Sequence, residues 1–293
     1  MNIAVLSRNP ALYSTQSLVQ AARRNHHYVR IIDYVNCDIV IDSIESKIIY
    51  HGQTLQNIDA IIPRIGAGHT DYGAQIIRQF EAAGVYSTLG PSPLLEARNK
   101  IASMQILSAH GLMIPKSLLS NNSLFYDDLL RELDNERAIV KLINGTHGLG
   151  VILAQSHRQA SSIMEAFTKS KSKVFVQEFI EEADGADIRV FIVDGSIEGT
   201  MKRQAKAGEF RSNLHRGATA NIEPISALEA ETALKAAKIL GLKIAGVDML
   251  RSKRGPMILE VNASPGLEGI ETTTRNDIAG KIVAMIEREI KKS

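Results

Sequence analysis

The sequence predicts an open α/β module followed by two α+β modules. Short β-rich runs alternate with helical stretches over the first hundred residues, which argues for a mainly parallel sheet. In the middle, a strand ending in Lys141 leads through a glycine-bearing loop to a second strand. The last third sets paired strands beside long helices.

Each element follows from local pattern. Ile3 to Leu6 reads as a strand, 15–24 as a helix, and Val29 to Ile32 as the next strand. Ile48 to Tyr50 with His51-Gly52 reads as a small hairpin. Ile58 to Ile62, a helix over 72–83 and Val85 to Ser87 complete the β-α pattern. Pro91 and Pro93 punctuate the exit, and one helix over 95–109 leads onward. Strands at Ala138 to Ile143, Val151 to Ala154 and Val174 to Phe179 surround a helix over 158–167. Paired strands at Ile188 to Val193 and Ile197 to Met201 precede a helix over 227–240. Strands at Ile244 to Leu250 and Met257 to Asn262 lead to a terminal helix over 278–291. The expected module boundaries are 1–94, 95–178 and 179–293.

Composition narrows the class. The 293 residues are 44% hydrophobic and 23% charged, an ordinary soluble profile. A net charge of only +2 gives no electrostatic case for binding nucleic acid or a membrane surface. No apolar run approaches the roughly 20 residues that cross a bilayer. Met1 to Ser7 reads as a strand rather than a signal peptide. The single cysteine, Cys37, permits no internal disulfide, so a reducing cytoplasm and a structural role are expected.

The most informative segment is the hairpin of Gly246 to Leu250 and Met257 to Asn262. Alternate side chains of a strand share a face, so Glu260 and Asn262 point one way while Leu259 and Val261 point to the core. Asp248, flanked by Val247 and Met249, leaves the apolar face of the partner strand. Three oxygen-bearing side chains brought together suit magnesium or manganese, with phosphate oxygens filling the remaining positions. Glu260 could bridge two such ions. The plainer reading is the wet face of an amphipathic hairpin.

A second feature is Lys141 followed by Asn144-Gly145-Thr146-His147-Gly148-Leu149-Gly150. With strands on both sides it is neither a Walker loop nor a dinucleotide fingerprint. Backbone N–H groups of such a loop can cover phosphates, with Lys141 as a point charge; a glycine hairpin is the alternative. The strand Val174 to Ile180, taken as an edge, could read adenine through its backbone, with a carboxylate beyond reaching the ribose. Lys202, Arg203, Lys206 and the run Arg211 to Gly217 form a cationic set mixed with small polar donors, as a phosphate and carboxylate clamp would be.

Taken in order, these features resemble the ATP-grasp ligases, in which two α+β modules clamp ATP behind an open α/β pre-ATP-grasp domain. At finer grain the chain resembles the RimK-type ribosomal-protein L-glutamate ligases. The matching stretches are Pro63-Arg64-Ile65-Gly66, Ser103-Met104-Gln105, Phe210 to Gly217, Ala245-Gly246-Val247-Asp248 and Glu260 to Glu271. The resemblance implies ATP contacts from Lys100, Lys141, Glu178, Phe179, Ile180, Asp187, Arg211, Ser212 and Asn213. It implies metal ligation by Asp248, Glu260 and Asn262. Two positions depart from the family pattern: Asn99 stands where relatives often have Asp, and His147 where Gln or Ser is usual.

The expected chemistry forms an acylphosphate from ATP, which the amine of L-glutamate then attacks. Lys141, Arg203 and Arg211 are the expected catalytic charges, and Arg64, Arg203 and Arg216 the expected holders of substrate carboxylates. By resemblance, the acceptor is the C-terminal glutamate of protein six of the small ribosomal subunit, and an assembly of identical subunits is common in the family. Synthesis of free poly-α-glutamate, a ligase joining an amino acid to a metabolite or carrier protein, and a catalytically silent nucleotide-binding regulator stand as alternatives.

Overall fold

The computed structural model describes residues 1–121, 125–143, 150–214 and 217–292. The glycine loop over 144–149, with His147, and Arg216 lie outside the described residues.

Strand β1 (Asn2–Leu6) is buried from Ile3 onward and centres the first sheet. Helix α1 (Tyr13–Arg24) returns the chain to β2 (Tyr28–Ile32), which pairs with β1 in parallel. An antiparallel ribbon of β3 (Cys37–Val40), β4 (Lys47–Tyr50) and β5 (Gln53–Thr54) follows. Cys37 is buried beneath it, and burial pushes its thiol up to about 12, so it carries no thiolate near neutrality. Strand β6 (Ala60–Pro63) then flanks β1 on its other side, helix α2 (Thr70–Ala82) crosses over, and β7 (Tyr86–Ser87) completes the order β2-β1-β6-β7. Parallel neighbours need such crossover connections.

The helix expected over 95–109 is two helices, α3 (Pro91–Arg98) and α4 (Lys100–Ala109). Asn99 breaks them with a ψ of 100°, and its Oδ1 accepts hydrogen bonds from the N–H groups of Ile101 at 3.2 Å and Ala102 at 3.1 Å. It is the N-cap of α4, a task its short amide suits.

The central module contains β8 (Ser117–Leu118), α5 (Tyr126–Leu130), β9 (Ala138–Leu142), β10 (Val151–Ala154), α6 (His157–Lys169) and β11 (Val174–Glu178). Its sheet runs β10-β9-β11-β8, so β11 is interior where the sequence suggested an edge. The backbone N–H of Glu178 is already donated to the Lys116 carbonyl at 2.9 Å. Val140, Val176, Leu130 and Met164 form a core of this module's own.

The last module contains β12 (Ala186–Val193), β13 (Ser196–Gln204), β14 (Thr219–Ile222), α7 (Ala227–Ile239), β15 (Ile244–Ser252), β16 (Gly255–Asn262), α8 (Glu268–Thr274) and α9 (Ile278–Ile290). Its antiparallel sheet has the order β14-β13-β12-β15-β16. Ile188, Val190 and Val247 pack with Ala233 and Ala236 of α7 and with Leu6, Ile61 and Ile65 of the first module. On the opposite face, Phe191 and Val193 pack with Ile282 and Val283 of α9 and Leu18 of α1. The first and last modules therefore share continuous cores.

One irregularity sets the site. Asp248 lies opposite Glu260, but Met249 lies opposite Ile258, so Leu259 is an extra residue, a β-bulge. The bulge breaks the alternation that the sequence suggested. Ile258 and Val261 are buried, while Leu259 is only half-buried.

Replacing the α4 cap is the clearest test of this architecture. Asn99→Ala is expected to cost about 1 kcal/mol, read as a lowered thermal melting midpoint, whereas Asn99→Asp keeps the cap acceptor and should melt near the parent.

Candidate active site

The face of the five-stranded sheet opposite α7 changes character along its strands. At one end of β12 it carries Phe191 and Val193; at the other it carries Asp187 and Arg189. Arg189 lies directly opposite Asp248 on β15 and grips it with two bonds, Nε to Oδ1 at 2.7 Å and Nη2 to Oδ2 at 2.7 Å. Arg203 on β13 lies opposite Asp187 and binds it likewise, at 2.6 and 2.5 Å, while its Nη2 stands 2.9 Å from Asp248. Ser212 donates to the same Asp187 carboxylate at 2.6 Å. Burial works against the Asp248 carboxylate, but Arg189 and Arg203 outweigh it and hold its pKa below the usual range.

This network redistributes the expected roles. Asp248 faces Glu260 across the hairpin, yet both its oxygens are committed to guanidinium groups. Arg203 is buried with its Nε and Nη2 edge spent on aspartates, so any substrate contact falls to Nη1. Arg189, which pattern reading passed over, completes the ionic set. The available signal was Asp187-Ile188-Arg189 on one strand, alternate charges that share a face.

Glu260 is exposed on β16, and Asn262 lies on the same face. Asn262 donates its Nδ2 to the Gly246 carbonyl at 3.4 Å, leaving Oδ1 as an acceptor. An accessible carboxylate and an amide oxygen on one face are the hard donors a divalent cation takes when phosphates complete its shell. The donor set therefore fits the metal that the fold implies, with Glu260 and Asn262 accessible and Asp248 requiring release from Arg189.

Cations from three elements bear on Glu260. Lys141, from β9, is half-buried, and desolvation pushes its amine down to about 8 although Glu260 pulls it up. Its Nζ donates to Gln177 Oε1 at 2.5 Å. Lys100, at the start of α4, reaches the Leu142 carbonyl at 3.4 Å and is likewise lowered by burial and raised by Glu260. Arg98 ends α3, where burial again opposes the charge and Glu260 supports it. Arg64 leaves β6 and donates its Nη2 to the Pro265 carbonyl at 2.7 Å. Gly246 makes room for that turn, since a Cβ there would stand 2.8 Å from the Pro265 side chain.

The remaining sequence-derived residues lie at the end of β11 and in the loop between β13 and β14. Glu178 is buried, accepting from the Lys116 N–H at 2.6 Å and pairing with Arg254 at 2.7 Å. The Phe179 carbonyl accepts from Asn135 at 3.5 Å, and the Ile180 carbonyl from the Ala183 N–H at 3.3 Å. Arg211 pairs with Glu209 at 2.7 Å and extends Nη1 towards the Val151 carbonyl at 3.5 Å, linking the cationic loop to the central module. Asn213 follows, half-buried.

Comparison with known proteins matches this arrangement to one family. Residues 1–93 match the RimK PreATP-grasp domain and residues 97–286 the RimK-like ATP-grasp domain. The chain belongs to the RimK-like ATP-grasp family. It is an ATP-dependent ligase. It is 47% identical over 291 residues to a probable alpha-L-glutamate ligase of Hydrogenovibrio crunogenus, covering 99% of this chain and 97% of that one. A protein of the same description from Halorhodospira halophila is 48% identical over 291 residues, covering 99% and 96%. The ATP-grasp ligase PsnB, solved with a phosphomimetic variant of its minimal precursor, Mg and ADP, superposes with a TM-score of 0.75 at 20% identity over 98% of both chains. That likeness shows the shared fold.

Within this ATP-grasp ligase the arginine–aspartate network is a stability element as well as a neighbour of the site. Arg203→Met is expected to cost roughly 3–5 kcal/mol, because Asp187 is left buried without its guanidinium partner. Urea unfolding measures the loss, and a cost below about 1 kcal/mol would show that the network is not needed for the fold.

Proposed function

We propose that this ligase joins a carboxylate to the amine of L-glutamate through an acylphosphate, releasing ADP and phosphate. The acceptor in this reading is the C-terminal glutamate of protein six of the small ribosomal subunit. The single observation that carries the chemistry is the approach of Lys100 and Lys141 to the exposed Glu260, two cations beside one accessible carboxylate. The description alpha-L-glutamate ligase of relatives at 47% and 48% identity supports glutamate as the donor. The Mg and ADP bound to PsnB support a magnesium nucleotide here.

In this reading, adenine lies against the chain from Glu178 through Ile180, and Lys100, Lys141, Arg211, Ser212 and Asn213 hold phosphates, with Asp187 ordering Ser212. Glu260 and Asn262 would hold one or two magnesium or manganese ions, and Asp248 would serve as a further ligand if released from Arg189 and Arg203. The metal supplies neutralisation of the phosphate oxygens when bound. Lys141 and Arg211 place further positive charge where the γ-phosphoryl group moves, so that positioning and electrostatics do the catalysis. An oxygen of the acceptor carboxylate bonds to the γ-phosphorus as the bond to ADP breaks. The glutamate nitrogen then bonds to the acyl carbon, phosphate leaves with the C–O bond pair, and the amine proton passes to solvent. Arg64, Arg203 through Nη1, and Arg216 are the proposed holders of substrate carboxylates. The modules 1–94, 95–178 and 179–293 close on the nucleotide.

The assay supplies ATP, magnesium and each amino acid in turn, with and without a peptide ending in glutamate, and follows ADP and peptide mass. ADP together with mass steps of one glutamate residue is expected. AMP formation, or nucleotide binding without turnover in every mixture, rejects the reading. Glutamate chains formed without the peptide would replace the ribosomal acceptor by free poly-α-glutamate. Glu260→Ala is expected to abolish ADP release at every magnesium concentration; near-normal turnover would remove Glu260 from the metal site.

Lys141 gives a pH signature. With its amine near 8, charge is lost as pH rises through that value, while bound triphosphate favours the charged form. Affinity for a non-hydrolysable ATP analogue is therefore expected to fall by up to about tenfold per pH unit above that point. Calorimetric titration should show the fall in the parent and its absence in Lys141→Met.

A further inference from the structure

We propose that Arg64, Arg98 and Ser264 form a separate carboxylate pocket beside Glu260, which holds the non-reacting carboxylate of a substrate. The proposal rests on the ligase reading above for the identity of that substrate. Two polar atoms on these residues are buried without a partner among the described residues, Arg98 Nε and Ser264 Oγ. Buried donors of this kind are costly unless a ligand or water completes them, and each such exception calls for an explanation.

The three residues come together from distant parts of the chain. Arg98 donates Nη2 to the Ile65 carbonyl at 2.5 Å, beside Arg64. Arg64 in turn reaches the Ser264 carbonyl at 3.4 Å and the Pro265 carbonyl at 2.7 Å. The bond to the Ile65 carbonyl brings the Arg98 guanidinium beside Arg64, and desolvation together with the Arg98 charge pushes the Arg64 pKa down to about 10. Neither forms an ion pair with a carboxylate among the described residues, in contrast to Arg189 and Arg203. Neighbouring half-buried cations repel, and an anion between them removes both the repulsion and the unmet donors. The pocket joins β6, α3 and the turn after β16, on the first-module side of Glu260; Lys100 and Lys141 approach from the central-module side. That division sets a carboxylate site apart from the triphosphate site. Both substrates of a glutamate ligase carry a carboxylate that does not react, and either could fill it.

Two variants test the assignment without depending on loss of fold. Ser264→Ala deletes a hydroxyl that bonds nothing described, so its melting temperature should match the parent. Arg98→Lys keeps the charge and deletes the Nε donor. Each is expected to raise KM about tenfold for one carboxylate substrate, while affinity for the ATP analogue stays at the parent value. A rise confined to L-glutamate assigns the pocket to the incoming amino acid, and one confined to the peptide assigns it to the acceptor. Unchanged KM for both, or an equal loss of nucleotide affinity, overturns the proposal. Calorimetry with glutarate in the presence of magnesium and the ATP analogue separates the two readings. If the parent turns over no glutamate, the function fails, yet glutarate binding that Arg98→Lys abolishes still upholds the pocket. Absence of glutarate binding to the parent overturns it.

Discussion

Asp187, Arg189, Arg203 and Asp248 occupy adjacent positions on three neighbouring strands, on a face that turns apolar further along β12 at Phe191 and Val193. Each aspartate lies opposite an arginine, and Arg203 spans both. Asp187, Arg203 and Asp248 are buried and Arg189 is half-buried, with no net charge among the four. Burying any one alone would carry a large desolvation penalty, so the set persists only as a whole. It fixes the spacing of β12, β13 and β15, and through Asp248 it fixes the strand that faces Glu260. Ser212 joins at Asp187, which ties the cationic loop to the same point.

Around that anchor the molecule divides unequally. The first and last modules share two cores, so they behave as one body, with α9 packed on α1. The central module keeps a core of its own. Leu107 and Leu112 tie its first helix into the core that the other two modules share, and polar links to the last module include Arg211 to the Val151 carbonyl, Arg254 to Glu178 and Arg137 to Glu181. Charges that repel in the ligand-free site, such as Lys100 and Lys141, are those a triphosphate would reconcile.

Much of the site was legible because its residues fall in runs with a readable period. Glu260 and Asn262 share a face by alternation, and Lys141 ends a strand beside a glycine loop. The interior place of β11 was not legible, because β8 is only Ser117–Leu118, too short to announce itself. Arg189 was missed because a lone arginine in an apolar strand gains meaning only from the aspartate opposite it. Arg98 reads as an ordinary last-turn helix residue until Ile65 and Glu260 are found beside it.

The sequence by itself determined the module order and most of the strands and helices. Those follow from near-neighbour rules: period, capping and turn chemistry. Only the tertiary structure decided which charges are spent on one another. It turned Asp248 towards Arg189, set Leu259 out of register as a bulge, and left Arg98 Nε and Ser264 Oγ without partners among the described residues. The physical reason is that the partners lie tens to hundreds of residues apart. The energy of a buried charge depends on what faces it in space, and no local pattern records that.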